Sequence, residues 1–243
     1  MYKRKMNIKV FLDGADRASM IEMSGHPLIR GFTTNPSLMK KAGVKDYESF
    51  CREILTQLKG KPVSFEVFAD DYSEMKRQAL KIASWESGSA AKTIYVKIPI
   101  INSKGESSIP LIRELSQAGV QLNITALYTL KQVIDTCQAV KGGAKNLVSV
   151  FAGRIADSGR DPIPLMQACV EVARSTDPNI ELLWASTREV FNIVQADQIG
   201  CHVITAPGDV VKKLQGFGKS GDELTLDTVK TFKADAESAG FNL

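Results

Sequence analysis

Eight short apolar runs recur along the chain, each followed by a stretch of helical character. The runs lie at 8–13, 31–36, 62–68, 93–99, 120–126, 146–153, 180–185 and 201–206. Each is apolar nearly throughout, as expected of strands covered on both faces. Helices are expected at 16–23, 36–41, 46–59, 71–85, 107–118, 130–140, 162–175, 188–196 and 209–214. In the third of these, Phe50, Ile54 and Leu58 recur at a spacing of four, which places them on one face. Pro36 opens one helix, and Gly119 and Gly142-Gly143 close two others. A Gly-rich hinge at 216–221 leads to a last helix at about 226–239.

Strands that alternate with helices imply a parallel sheet. Eight such units in 243 residues match the size of a (β/α)8 TIM barrel. No linker or composition shift divides the chain. The expected architecture is therefore an α/β single domain over 1–243, with 216–243 as a hinge and an extra C-terminal helix. A doubly wound open sheet is the alternative. Against it, no G-x-G-x-x-G or Walker-type lysine loop follows any of the runs.

Composition narrows the chemistry. The chain is 44% apolar and 24% charged, with a net charge of +4. That mild excess is far from the clustered basic stripe of a nucleic-acid binder. The basic leader at 2–5 is not followed by a signal-length apolar run, because Asp13 and Asp16 interrupt it. No apolar stretch is long enough to cross a bilayer, so a cytoplasmic protein with no membrane partner is expected. Cys51, Cys137, Cys169 and Cys201 are scattered, without metal-ligand spacing, and His26 and His202 are far apart. Neither a metal nor a cofactor is expected. Acid–base work falls on Asp, Glu, Lys or Tyr.

The fourth run, Tyr95-Val96-Lys97-Ile98-Pro99-Ile100, holds a lysine in its middle. Such a lysine must reach water, pair with a carboxylate or lose its proton. A neutral amine attacks carbonyl carbons to form Schiff bases. The bland alternative is a stem lying along apolar surface with its head in solvent. Asp13, Asn35, Glu66, Lys97, Thr125, Arg154 and Ser186 fall near the ends of successive runs, at gaps of 22, 31, 31, 28, 29 and 32 residues. Gaps of about one βα unit would set them at one height on the C-terminal face of a barrel. Burial there would favour the neutral amine of Lys97, and Asp13 and Glu66 the ammonium. The set contains an amine and acids, and it suits aldol cleavage or transfer through a Schiff base.

Several segments together resemble the transaldolase family. They are Phe11-Leu12-Asp13-Gly14-Ala15-Asp16, Gly31-Phe32-Thr33-Thr34-Asn35-Pro36-Ser37, Val96-Lys97-Ile98-Pro99, Asn123-Ile124-Thr125, Ser149-Val150-Phe151-Ala152-Gly153-Arg154-Ile155 and Ala185-Ser186-Thr187-Arg188. The chain is short, like the subfamily that also contains fructose-6-phosphate aldolases. The resemblance implies that Lys97 is the Schiff-base lysine. It gives Asp13 the proton of the C4 hydroxyl, and it has Glu66 and Thr125 hold a proton-shuttling water. Thr33, Asn35, Asn123, Ser149 and Phe151 would contact substrate. Arg154, Ser186 and Arg188 would bind the sugar phosphate. For Arg188 an ordinary place on a surface helix is the competing reading.

Transaldolases resemble this chain in Glu66, Asn123, Ser149 and Phe151, whereas the aldolases tend to carry Gln and Tyr at the first and last. The implied activity is transfer of a dihydroxyacetone unit from fructose 6-phosphate or sedoheptulose 7-phosphate to an aldose phosphate, within pentose phosphate metabolism. Free fructose-6-phosphate aldolase activity is the alternative, as is a transaldolase acting on a modified, for example sulfonated, sugar. The stretch from Trp85 to Ala90, Trp184, and Thr187 after Ser186 depart from the usual pattern and leave the acceptor open. Small members of the family often form rings in which the C-terminal helix packs on a neighbour, so a homo-oligomer is expected.

Overall fold

Each apolar run becomes one parallel strand, and the eight strands close on themselves in sequence order. In the computed structural model, which describes residues 6–58, 60–86 and 92–241, they are β1 (Lys9–Asp13), β2 (Ile29–Thr33), β3 (Val63–Glu66), β4 (Ile94–Pro99), β5 (Leu122–Leu127), β6 (Asn146–Val150), β7 (Ile180–Trp184) and β8 (Val203–Pro207). β8 pairs with β1, so no edge strand is left open. The fold is a (β/α)8 TIM barrel.

The helices are α1 (Arg17–Ser24), α2 (Pro36–Lys41), α3 (Tyr47–Gln57), α4 (Tyr72–Ala83), α5 (Ile109–Gln117), α6 (Leu130–Val140), α7 (Ala152–Asp157), α8 (Ile163–Thr176), α9 (Phe191–Gln198), α10 (Gly208–Lys212) and α11 (Gly221–Ser238). Local chemistry sets several of their starts. The side chains of Asp16, Asn35, Asp46 and Asp71 accept backbone N–H bonds at the first turns of α1 to α4. Thr129 with Gln132, and Ser220 with Glu223, form reciprocal capping boxes on α6 and α11. The box at Ser220 starts α11 at Gly221, five residues before the expected position.

Two compact units are described. Met6–Val211 forms the barrel, and the second runs from Lys212, with its described part ending at Phe241 and α11 as its long helix. No described helix is long and apolar enough to cross a membrane. The leader at 2–5 and the stretch 87–90 singled out from the sequence lie outside the described residues.

Strand alternation divides the barrel into layers. Val96 and Ile98 of β4 face the helices and are fully buried, which is why the strand reads as uniformly apolar. Tyr95 and Lys97 have the opposite parity and face inward. Phe11, Tyr95, Leu147, Leu183, Ala185 and Val203 pack together as an apolar floor, against which Phe151 lies. Gly31 makes room for that floor, since a Cβ there would meet the Phe11 ring at 2.6 Å. Lys9 and Lys145 of the strand-entry end pair with Glu181, at 2.5 and 3.6 Å. The polar site sits on the other side of the apolar floor.

Candidate active site

Lys97 is the centre of the polar end. Its Nζ lies 3.1 Å from Glu66 Oε2 and donates to the Thr34 carbonyl oxygen at 3.1 Å. Glu66 and Lys97 are register partners on adjacent strands, so the ladder itself brings the carboxylate to the amine. The Lys97 side chain is 9% exposed, so its Nζ is held by protein rather than by bulk water. The snorkelling alternative is thereby set aside.

Asp13 stands at the end of β1, opposite Thr33 in register. The Thr33 hydroxyl donates to Asp13 Oδ1 at 2.7 Å and also contacts the Thr205 hydroxyl. Burial pushes the Asp13 carboxyl above the usual carboxylate range; the nearby Lys97 charge and the Thr33 hydroxyl oppose that rise.

A polar wall continues around the barrel. Asn123 is the register partner of Lys97. Its amide donates to Ser64 Oγ at 2.9 Å and accepts from Ser149 Oγ at 2.6 Å. These bonds fix the orientation of the amide. Asn35 caps α2 through Oδ1, which accepts from Leu38 N at 3.0 Å, so its amide N–H groups are what it can offer the cavity. In β5 the register shifts between Ile124 and Leu127, where Ala126 adopts φ 63°. Such a bulge re-aims a side chain. The Thr125 hydroxyl is buried without a protein partner and lines the cavity, which makes it a place for a water or a substrate oxygen.

The rim is cationic. Arg154 of α7 lies over the Phe151 ring, 5.2 Å from its centroid. Arg188 precedes α9 and is not on a helix; its guanidinium grips Asp157 through Nε at 3.0 Å and Nη2 at 2.5 Å. This holds the Asp157 carboxyl below its usual range, and the Arg154 charge adds to that effect. Ser186 sits at φ 64°, a strained conformation for a residue with a side chain. Gly153 allows that turn to lie close, because a Cβ on it would fall 1.6 Å from the Ser186 carbonyl oxygen.

Asp13, Thr33, Asn35, Lys97, Asn123, Thr125, Ser149, Phe151, Arg154, Ser186 and Arg188 all line one cavity of about 180 Å³. Glu66 is not on its wall but reaches it through Lys97. The expectation of one common height is corrected. Lys97 is level with Glu66 and Asn123, whereas Thr125 faces Pro99. Asn35, Arg154 and Ser186 lie past their strands, on a helix cap, a helix and a turn. The residues form a graded wall rather than a ring.

Some contributors were not singled out from the sequence. Thr205 lines the cavity, but its strand ends in Ala206 and Pro207, so its tip shows no polar residue. Alternation from Val203 is the signal that finds it. Thr34 acts through its backbone, and its side chain gives no hint of that. Among the described residues no group of His, Cys, Asp and Glu could hold a metal ion. All four cysteines are buried, and burial raises their thiol pKa values, those of Cys137, Cys169 and Cys201 to about 12, so none is poised as a nucleophile.

The sequence profile described as Transaldolase/Fructose-6-phosphate aldolase matches residues 10–243. A probable transaldolase from Thermoanaerobacter sp. (strain X514) is 31% identical over 236 residues, covering 97% of this chain and 100% of its own length. One from Methanococcus vannielii is 32% identical over 228 residues, covering 94% and 97%. A crystal structure from Burkholderia cenocepacia J2315 has a TM-score of 0.59 at 10% identity, covering 87% of this chain and 80% of its own, a likeness of fold alone. The chain belongs to the transaldolase/fructose-6-phosphate aldolase family.

Proposed function

We propose that the protein is a transaldolase that carries a dihydroxyacetone unit on Lys97 between sugar phosphates. The observation that carries this reading is the amine of Lys97, buried against Glu66 at 3.1 Å in a cavity that also holds Asp13. The neutral amine attacks the C2 carbonyl of a ketose phosphate and forms a carbinolamine. Loss of water then gives the imine. Glu66, with a water held at the unpaired Thr125 hydroxyl, moves the protons of both steps. Asp13 takes the proton of the C4 hydroxyl as the C3–C4 bond breaks. The bonding electrons pass into the imine and leave an enamine on Lys97, while the aldehyde phosphate departs. An acceptor aldehyde then enters, and the same steps run in reverse.

The wall and rim suit such a substrate. Asn35 and the Asn123–Ser149 pair meet sugar hydroxyls, and Arg154, Ser186 and Arg188 meet the phosphate, whose oxygens match a guanidinium fork. Phe151 has no hydroxyl with which to protonate the enamine, so the three-carbon unit is kept for transfer. The proposal extends to assembly. Leu224, Leu226, Val229 and Phe232 of α11 are apolar and exposed, which fits packing on another copy of the chain and is read by gel filtration.

Turnover of fructose 6-phosphate with and without a four-carbon aldose phosphate tests the reading. A transaldolase releases glyceraldehyde 3-phosphate rapidly only when the acceptor is present. Equal rates without it would make the protein a free aldolase.

A further inference from the structure

We propose that Thr205, acting through Thr33, is a positioning residue that holds Asp13 as the carboxylate needed to take the C4 hydroxyl proton. The inference rests on the reading of Asp13 given above, and it adds a residue of β8 to the reaction.

The argument is a count of protons. A threonine hydroxyl has one proton to give. Thr33 gives its proton to Asp13 Oδ1 at 2.7 Å. In the contact between the Thr33 and Thr205 hydroxyls, the donor must therefore be Thr205. With Asp13 ionised, both hydroxyl protons are used inside the protein and run toward the negative charge. With Asp13 protonated on Oδ2, Oδ1 still accepts from Thr33, but as the oxygen of a neutral carboxyl group, so both bonds of the chain end on a weaker acceptor. The pair thus stabilises the carboxylate, and a hydrogen bond to a charged group is stronger than a neutral one.

The setting makes this support matter. Asp13 is buried, which disfavours its charge. β2 and β8 flank it and present Thr33, Thr205 and Pro207, none of which titrates. Lys97 on β4 favours the carboxylate, but it is shared with Glu66 on β3. Arg154 and Arg188 line the same cavity, and Arg188 is tied to Asp157. On β1 itself, Lys9 is occupied by Glu181. Thr205 is in turn held in place, since its carbonyl oxygen accepts from Thr187 Oγ1 at 2.7 Å.

Thr205→Val keeps the β-branched shape and the backbone bond and removes only the proton. The direct readout is the carbon-13 titration of the Asp13 carboxyl, assigned by its loss in Asp13→Asn. The Asp13 titration should move upward by roughly half to one pH unit in Thr205→Val, the equivalent of one ordinary hydrogen bond. Thr205→Ser should return it. The acid limb of single-turnover aldehyde release from fructose 6-phosphate should move by the same amount, while borohydride trapping on Lys97 persists. An Asp13 titration that stays at the wild-type position in Thr205→Val, or a serine variant that behaves like valine, would overturn the proposal. A titration that moves without the kinetic limb supports the threonine pair and instead overturns the role of Asp13 as the cleavage base.

Discussion

The amine of Lys97 and the carboxylate of Glu66 meet 3.1 Å apart as register partners on adjacent strands. The ladder between β3 and β4 therefore determines the distance between the two groups. A slip of one residue would turn one of the two side chains to the outer face.

Glu66→Gln keeps the shape and removes the carboxylate. We expect imine formation, followed by rapid borohydride quench, to slow by about a hundredfold, the usual scale for loss of a positioned acid–base group. A variant with unimpaired imine formation would show that the carboxylate only neutralises the lysine.

Asp13→Asn separates bond cleavage from imine formation. Cleavage should fall by about a hundredfold or more, while the trapped ketose adduct still accumulates. The same variant tests the cost of the buried charge. The folded-state pKa of Asp13 is raised above 3.8, so the folded protein holds more protons than the unfolded chain between 3.8 and the raised value. Stability is then lost as pH rises through that window. Asp13→Asn should be more stable than the wild type at neutral pH, with the advantage closing as pH falls below the ordinary carboxylate range. Denaturant unfolding at several pH values measures this.

Gly153→Ala places a methyl group where the Ser186 carbonyl oxygen lies. Both partners of that clash are backbone or fixed to it, so little can yield. A loss of about 2 kcal/mol or more in unfolding free energy is expected, with a raised KM for phosphorylated substrates.

Arg154→Ala should raise KM for phosphorylated sugars by about tenfold or more, because a charge-assisted contact is lost. Arg188→Ala should have the smaller effect, since its fork is already engaged by Asp157. Steady-state kinetics with phosphorylated and unphosphorylated donors separates this from general damage.

What could be read from the chain follows from how each residue acts. Lys97 stood out because a charge in an apolar strand demands a reason, and its inward parity follows from alternation. The barrel was legible in the repeated strand–helix unit. Contributions made in three dimensions were hidden. Asp157 reaches Arg188 across 31 residues of sequence, and Thr34 offers only a carbonyl. The sixth apolar run extends in sequence through Phe151, Ala152 and Gly153, but β6 ends at Val150 and α7 begins at Ala152. There the backbone of Gly153 lies against the Ser186 carbonyl, a neighbour 33 residues away that local sequence does not reveal. α11 begins at Gly221 because Ser220 and Glu223 cap each other, a polar pattern that apolar spacing does not contain.

The most direct test of the central claim is borohydride reduction in the presence of fructose 6-phosphate, followed by peptide mass analysis. The peptide containing Lys97 should carry the reduced three-carbon unit, and Lys97→Ala should lose both adduct and turnover. Turnover of the sugar phosphate with Lys97 left unmodified would contradict the account.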